Sequence, residues 1–352
     1  MNSWVLVGAR VACGPQKSEK LDLEICSGKI LALDSSIKLQ RKAHRLNLEG
    51  CLILPGLINA HDHLEFNLFP RLGNGPYQSA GAWARDIYHP DQSPVKEHLR
   101  IPLATRLRWG AVKNLLSGVT TVCHHNRYHP RIFSRDFAIG VPSHYGWAHS
   151  FEFSPNLAVQ FRRTPRNWPF VLHLGESITA EGKREILQLD TLGALDDRTV
   201  LVHAVALNTR GLQLARARGA SIVWCPSSNI FVLGRTLNEA VYKSGIPIAL
   251  GTDSALTGGG DLLDEIRFAH RVGRVQPSRL YSMVTQESAQ IMRLNEGQGT
   301  LIPGGTADLL VVKDSSQSPA EALLRLQTGA MEMVFVRGEV RLVSPDRIQQ
   351  LP

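Results

Sequence analysis

The residues best placed to do chemistry lie where an apolar run, Ile53-Leu-Pro-Gly-Leu-Ile58, ends in Asn59, His61, Asp62 and His63. In a strand alternate side chains share a face, so His61 and His63 would project side by side from the end of a buried strand, which is half of a metal site. Taken alone, the pair is equally compatible with two unrelated histidines in a surface loop. More polar residues follow short apolar runs in the same way. His173 and Glu176 follow residues 170–172, His203 follows 199–202, and Asp253 follows 246–252. Singly, each histidine reads as a core residue with satisfied hydrogen bonds, and Asp253-Ser254 as a helix N-cap or turn. Their joint recurrence at strand ends outweighs those readings.

The elements that must position these residues follow from patterning. Residues 55–297 alternate short apolar runs with amphipathic stretches, as β/α units do. Strands are expected near 119–123, 142–147, 170–174, 199–203, 220–225 and 246–252. Helices are expected near 101–116, 183–189, 209–218, 237–244, 262–272 and 279–294. In a (β/α)8 TIM-like barrel the C-terminal ends of the strands converge on one face, where active sites form. Only one strand can be placed between 123 and 170, near 139–147, so the barrel is shortened or irregular between strands 2 and 5. Gly/Pro-rich loops at 71–77 and 256–261 are expected to be mobile and near the same face. Both ends of the chain are strand-like, at 4–7, 21–25, 29–33, 307–312, 333–336 and 339–343. The expected organisation is therefore 1–54 and 298–352 joining as a small β-sandwich around a catalytic domain at 55–297.

Composition narrows the class. With 352 residues, 43% hydrophobic and 20% charged, the chain can bury a large core. It carries no apolar run long enough for a membrane helix and no signal-peptide pattern at its start. Five scattered cysteines without a C-x-x-C pair fit a reducing compartment, so the cytoplasm is expected. The net charge of +8 could mark an anionic partner, but the densest basic group, Arg162, Arg163 and Arg166, reads as a solvated helix face. Neither nucleic acid nor membrane is expected as a partner. A small-molecule substrate is, and a homo-oligomer is compatible.

Seven stretches in register resemble the amidohydrolase superfamily, in its branch of aminohydrolases acting on cyclic amidines and chlorotriazine-like rings. They are P-G-L-I-N-A-H-D-H-L (55–64), H-L-G-E (173–176), L-V-H-A (201–204), W-C-P-S-S-N (224–229), L-G-T-D-S (250–254), D-L-L-D-E-I-R-F-A (261–269) and G-x-L-x-P-G-x-x-A-D-L (299–309). The resemblance implies that His61, His63, His173 and Asp253 bind one divalent metal, that Glu176 shuttles protons and that His203 hydrogen-bonds the metal-bound water. The residue chemistry agrees: three imidazoles and a carboxylate suit zinc or iron, and such an ion brings a water's pKa near neutrality. Asp253 is expected to take a proton from the nucleophile as well as to bind. Gly175 lets the chain turn so that Glu176 can reach a substrate. A second metal of the carboxylated-lysine type needs a lysine ending the fourth strand, and none occurs between Lys113 and Lys183. Glu152 is a formal candidate for a bridging carboxylate.

Hydrolytic deamination of a purine, pyrimidine or related amino-heterocycle is the expected reaction. Its rivals are cleavage of a cyclic amide, an imidazolone or a C–Cl bond at the same site, and a catalytically silent binding scaffold. No G-x-S-x-G elbow or P-loop is present, and His63-Leu-Glu65 lacks the P-C-x-x-C partner of zinc nucleobase deaminases. His124, His125, His144 and His149 are candidates for substrate contact or for structural hydrogen bonding, and Ser227, Ser228 and Asn229 for shaping a loop. The 110-position separation of His63 and His173 is short for the family, which implies a smaller or more open pocket, or one completed by another subunit.

Overall fold

A computed structural model describes residues 3–37 and 43–351. Residues 1, 2, 38–42 and 352, which belong to the expected terminal segments 1–54 and 298–352, lie outside the described residues. The middle of the chain is α/β. Its parallel strands are β1 (Leu57–Asp62), β2 (Val119–His124), β3 (Gly146–Trp147), β4 (Phe170–Leu174), β5 (Thr199–His203), β6 (Ser221–Trp224) and β7 (Ile248–Leu250). All but β3 are buried along their whole length, which is why they read as unbroken apolar runs rather than as alternation.

Backbone pairing links them in one series. Gly140 bridges to β2, β2 pairs with β1, and Asp62 of β1 bridges to Asp253 just beyond β7. From β7 the ladder continues through β6, β5 and β4 to β3. The two ends of the series, Gly140 and Gly146, are close in the chain and unpaired with each other. The strand expected near 139–147 is therefore reduced to Gly146–Trp147 and a single bridged residue, Gly140. Among the described residues no helix lies between β2 and β3. Pro130 and Pro142 account for part of this, since a proline has no backbone donor for a ladder or a helix interior.

Local chemistry sets the helix ends. Ser117 and Gly118, at φ +80°, close the helix Leu103–Leu116. Thr179 and Asn208 cap Ala180–Thr191 and Thr209–Ala217, and Asp261 and Asp264 form a capping box on Leu262–Gly273. Three expectations need correction. The helix at 279–294 is two helices, Pro277–Met283 and Gln286–Ile291, because the Val284 carbonyl turns to accept from Ile58 N–H of β1 at 2.8 Å. Arg166 falls past the helix Leu157–Arg163 and pairs with Asp196 at 2.8 Å, so the three arginines do not form one helix face. Ser227, Ser228 and Asn229 lie in a helix, Pro226–Leu233, entered through Pro226, and not in a loop.

Strands from the two ends of the chain interleave in one sheet, in the order Glu339–Val343, Met331–Val336, Leu309–Lys313, Cys51–Pro55, Arg10–Ala12, Ser18–Lys20. Its alternation serves two cores. Ile53, Val311, Met333 and Phe335 pack with Trp4, Leu6, Leu23 and Ile25 of a four-stranded N-terminal sheet. Leu52, Leu54, Leu310, Val312 and Val334 face the core around the parallel strands.

The same alternation turns Asp62 away from its histidine neighbours. Its carboxylate accepts from Asn59 Nδ2 (3.2 Å), Asn67 Nδ2 (2.6 Å), Asn114 Nδ2 (2.8 Å) and Thr252 Oγ1 (3.1 Å). Burial pushes it up to about 6, against the pull of Lys113 and these donors. Asp62 thus ties the end of β1 to the residue before Asp253. Asp62→Ala would strand several buried donors and should cost about 3–5 kcal/mol in urea unfolding of the metal-free protein; a loss below about 1 kcal/mol would remove this anchoring role.

Candidate metal centre and active site

His61 and His63 leave the end of β1, His173 leaves β4, His203 ends β5 and Asp253 follows β7. His203 and Asp253 adopt left-handed backbone conformations, at φ +70° and +63°, which non-glycine residues adopt only where surrounding contacts enforce them. Their side chains converge. His173 Nε2 lies 3.2 Å from His61 Nε2 and 3.4 Å from His63 Nε2, and Asp253 Oδ1 lies 3.5 Å from the first and 3.6 Å from the second. Four ligands placed tetrahedrally about 2.0–2.1 Å from an ion would be about 3.3–3.4 Å apart, so this spacing fits a zinc-sized cation. His203 also reaches the cluster: His61, His173, His203 and Asp253 can each bring a ligand atom within 4.8 Å of the others.

Surrounding hydrogen bonds aim these atoms. Asp253 Oδ2 accepts from Ser228 Oγ (2.6 Å) and Thr257 Oγ1 (2.8 Å), which leaves Oδ1 for the cluster. His173 Nδ1–H donates to the His149 carbonyl at 2.8 Å, which leaves Nε2 as a lone-pair donor. Burial holds His63 and His173 well below the usual histidine range, so both rings are neutral at pH 7 and able to ligate. Burial works to raise Asp253, but the adjoining His61 and the neighbouring His203 and His63 outweigh that and keep it well below the usual range. It is the anionic member of the set.

Glu176 lies past the turn at Gly175, whose φ is +63°. Its Oε2 is 3.5 Å from His203 Nε2, and burial pushes its carboxyl up to about 7 despite the pull of His203. His203 Nδ1–H donates to Asn229 Oδ1 at 2.7 Å, while its Nε2 is buried with no hydrogen-bond partner. An orphaned nitrogen beside a carboxyl that titrates near neutrality is a place for a reacting oxygen and its proton.

Glu176, His63, His173 and Asp253 open into a cavity of about 530 Å³ walled by Phe66, Trp83, Ile87, Tyr88, Trp147 and Phe153, with His149, Asn126, Asn156 and Gln160 as polar groups. That volume is ordinary for a small-molecule site, so the short 66–168 segment has not produced an unusually small pocket. Of the four uncertain histidines, only His149 lines this cavity. His124 and His125 are buried behind the ligand cluster, and His144 lies against Trp168 in a separate cavity. Glu152 pairs with Arg85 and takes no part in the cluster, so it is not a bridging carboxylate. Sequence reasoning assigned no role to Thr257 or Asp62, gave Ser228 and Asn229 the shaping of a loop, and left His125 between substrate contact and structural hydrogen bonding.

Comparison with known proteins bears out the resemblance read from the motifs. Residues 170–341 match the model of the amidohydrolase family. A 5-methylthioadenosine/S-adenosylhomocysteine deaminase of Syntrophobacter fumaroxidans is 25% identical, over 82% of this chain and 78% of its own. A 5'-deoxyadenosine deaminase of Methanopyrus kandleri is 24% identical, over 83% of this chain and 81% of its own. A crystal structure of a zinc-bound adenosine deaminase from Xanthomonas campestris covers 97% of this chain and 93% of its own, with a TM-score of 0.77 at 18% identity. The fold is therefore α/β of the amidohydrolase type. Among the described residues no helix is long and apolar enough to cross a membrane.

Proposed function

We propose that this protein is a metal-dependent aminohydrolase that releases ammonia from an amino-purine or a related amino-heterocycle, with adenine-type nucleosides as the first substrates to test. The observation that carries this reading is the four-cornered set His61, His63, His173 and Asp253 with Glu176 on its cavity side. In this reading 55–297 is a (β/α)8 barrel open between Gly140 and Gly146, and 1–54 and 298–352 form a β-sandwich. The enzyme acts in the cytoplasm on a small molecule.

Those four residues would hold one divalent ion, zinc or iron, which when bound would supply Lewis acidity at the site. The chain's own groups do the rest. Asp253, its Oδ2 fixed by two hydroxyls, accepts a proton from the attacking water. His203, oriented by Asn229, holds the oxygen as it adds to the amino-bearing carbon. Glu176, titrating near 7, gives its proton to the ring nitrogen and takes one back from the added hydroxyl, while the proton held by Asp253 leaves with the departing amine. The aromatic wall of Trp83, Trp147, Phe66 and Phe153 suits a planar ring, and among the described residues no lysine or arginine lines this cavity, so an uncharged substituent is favoured over a phosphate.

The test is ammonia release from zinc- and iron-loaded protein offered amino-purines and their nucleosides, amino-pyrimidines, pterins and amino-triazines. Ammonia from one ring class is the expected result. Full metal occupancy with no ammonia from any compound would overturn deamination.

A further inference from the structure

His125 ends the run Cys123-His-His125 beyond β2, is 1% exposed and does not line the substrate cavity. Its two ring nitrogens are both engaged. Nε2 lies 3.0 Å from the Ala148 carbonyl oxygen, and Nδ1 lies 3.2 Å from His61 Nδ1. A carbonyl only accepts, so Nε2 of His125 carries the proton and, in the neutral ring, Nδ1 is a lone pair. His61 must then donate from its own Nδ1, which leaves His61 Nε2 unprotonated and aimed at His173 Nε2 and Asp253 Oδ1. The Ala148 end of this relay is fixed, because Ala148 N–H donates to Val171 O of β4 at 3.0 Å.

We infer that His125 is a positioning residue that sets the tautomer and ring orientation of His61 through an imidazole-to-imidazole hydrogen bond. The inference rests on the proposal that His61 is a metal ligand. Ligating histidines ordinarily donate their second nitrogen to a carboxylate, a carbonyl or water. Here the acceptor is a neutral ring, so His61 is aligned without a further negative charge beside the ion, and Asp253 remains the anionic ligand. His61 is fully buried, so bulk water does not compete with His125 as the acceptor. His125 can also be drawn as a ligand itself, with His61, His63 and His173. That arrangement would use the same lone pair and break the bond to His61, so the two roles give different results.

Two substitutions separate them. His125→Asn keeps an acceptor oxygen near the Nδ1 position and loses the bond to Ala148. His125→Gln keeps a donor near the Nε2 position and loses the acceptor for His61. Zinc affinity, measured by chelator competition, should stay within about threefold of wild type in His125→Asn and weaken about 10–100-fold in His125→Gln. The cobalt-loaded His125→Gln protein should also show an altered visible spectrum. Equal losses in both variants, or none in either, would overturn the inference. Ring-nitrogen NMR on the wild-type protein tests it without substitution: His125 should be protonated at Nε2 and His61 at Nδ1, and the opposite tautomer at His125 would overturn it. If wild-type protein binds no zinc, the ligand assignment of His61 fails while the NMR still decides the relay.

Discussion

Glu176→Gln is expected to keep its full complement of metal while kcat falls by about 10²–10⁴-fold, the usual contribution of a positioned acid–base group. The amide matches the carboxyl in shape and lies outside the ligand tetrahedron, so nothing that holds the ion is removed. What is lost is a group that burial has brought to about 7 and that faces both His203 and the cavity. Metal analysis and steady-state kinetics on one preparation check this. Near-normal turnover would remove Glu176 as the proton carrier, and loss of metal would make it part of the ligand set.

His173→Ala is expected to do the reverse and act through the ion. Its Nε2 lies within 3.4 Å of both His61 and His63, so the substitution removes a corner of the tetrahedron. Zinc binding should weaken by more than about 100-fold, beyond the cost of losing an outer hydrogen-bond partner, and activity should return only in excess metal. Unchanged tight zinc binding would show that the ligands are drawn from a different set, such as one using His203.

The two sets of results bear on what could be read from the chain alone. His61, His63, His173, His203 and Asp253 were legible because each ends or follows a strand buried on both faces, so a polar residue there breaks an apolar run and stands out. Glu176 was legible through the resemblance carried by H-L-G-E (173–176), with Gly175 marking the turn that lets it reach the site. The groups that aim these side chains were not. Ser228 and Thr257 on Asp253, Asn229 on His203 and His125 on His61 act through contacts between separate elements, and no local pattern distinguishes them from other polar residues in a helix or loop. The irregular segment around Gly140 was seen as a missing strand. That it survives as one bridge and a two-residue strand depends on pairings with Thr121 and β4 that only the folded chain supplies. The break at Val284 has the same origin, since its carbonyl is claimed by β1 and not by its own helix.

The central claim is that one ion, held by His61, His63, His173 and Asp253, enables hydrolytic release of ammonia. It is tested most directly by titrating metal-free protein with zinc while following ammonia release from an adenine nucleoside. Activity should rise in proportion to added zinc and reach a plateau at one equivalent per chain, with the His173→Ala protein showing no such break. Full activity before any zinc is added, or a plateau only at two equivalents, would contradict the account.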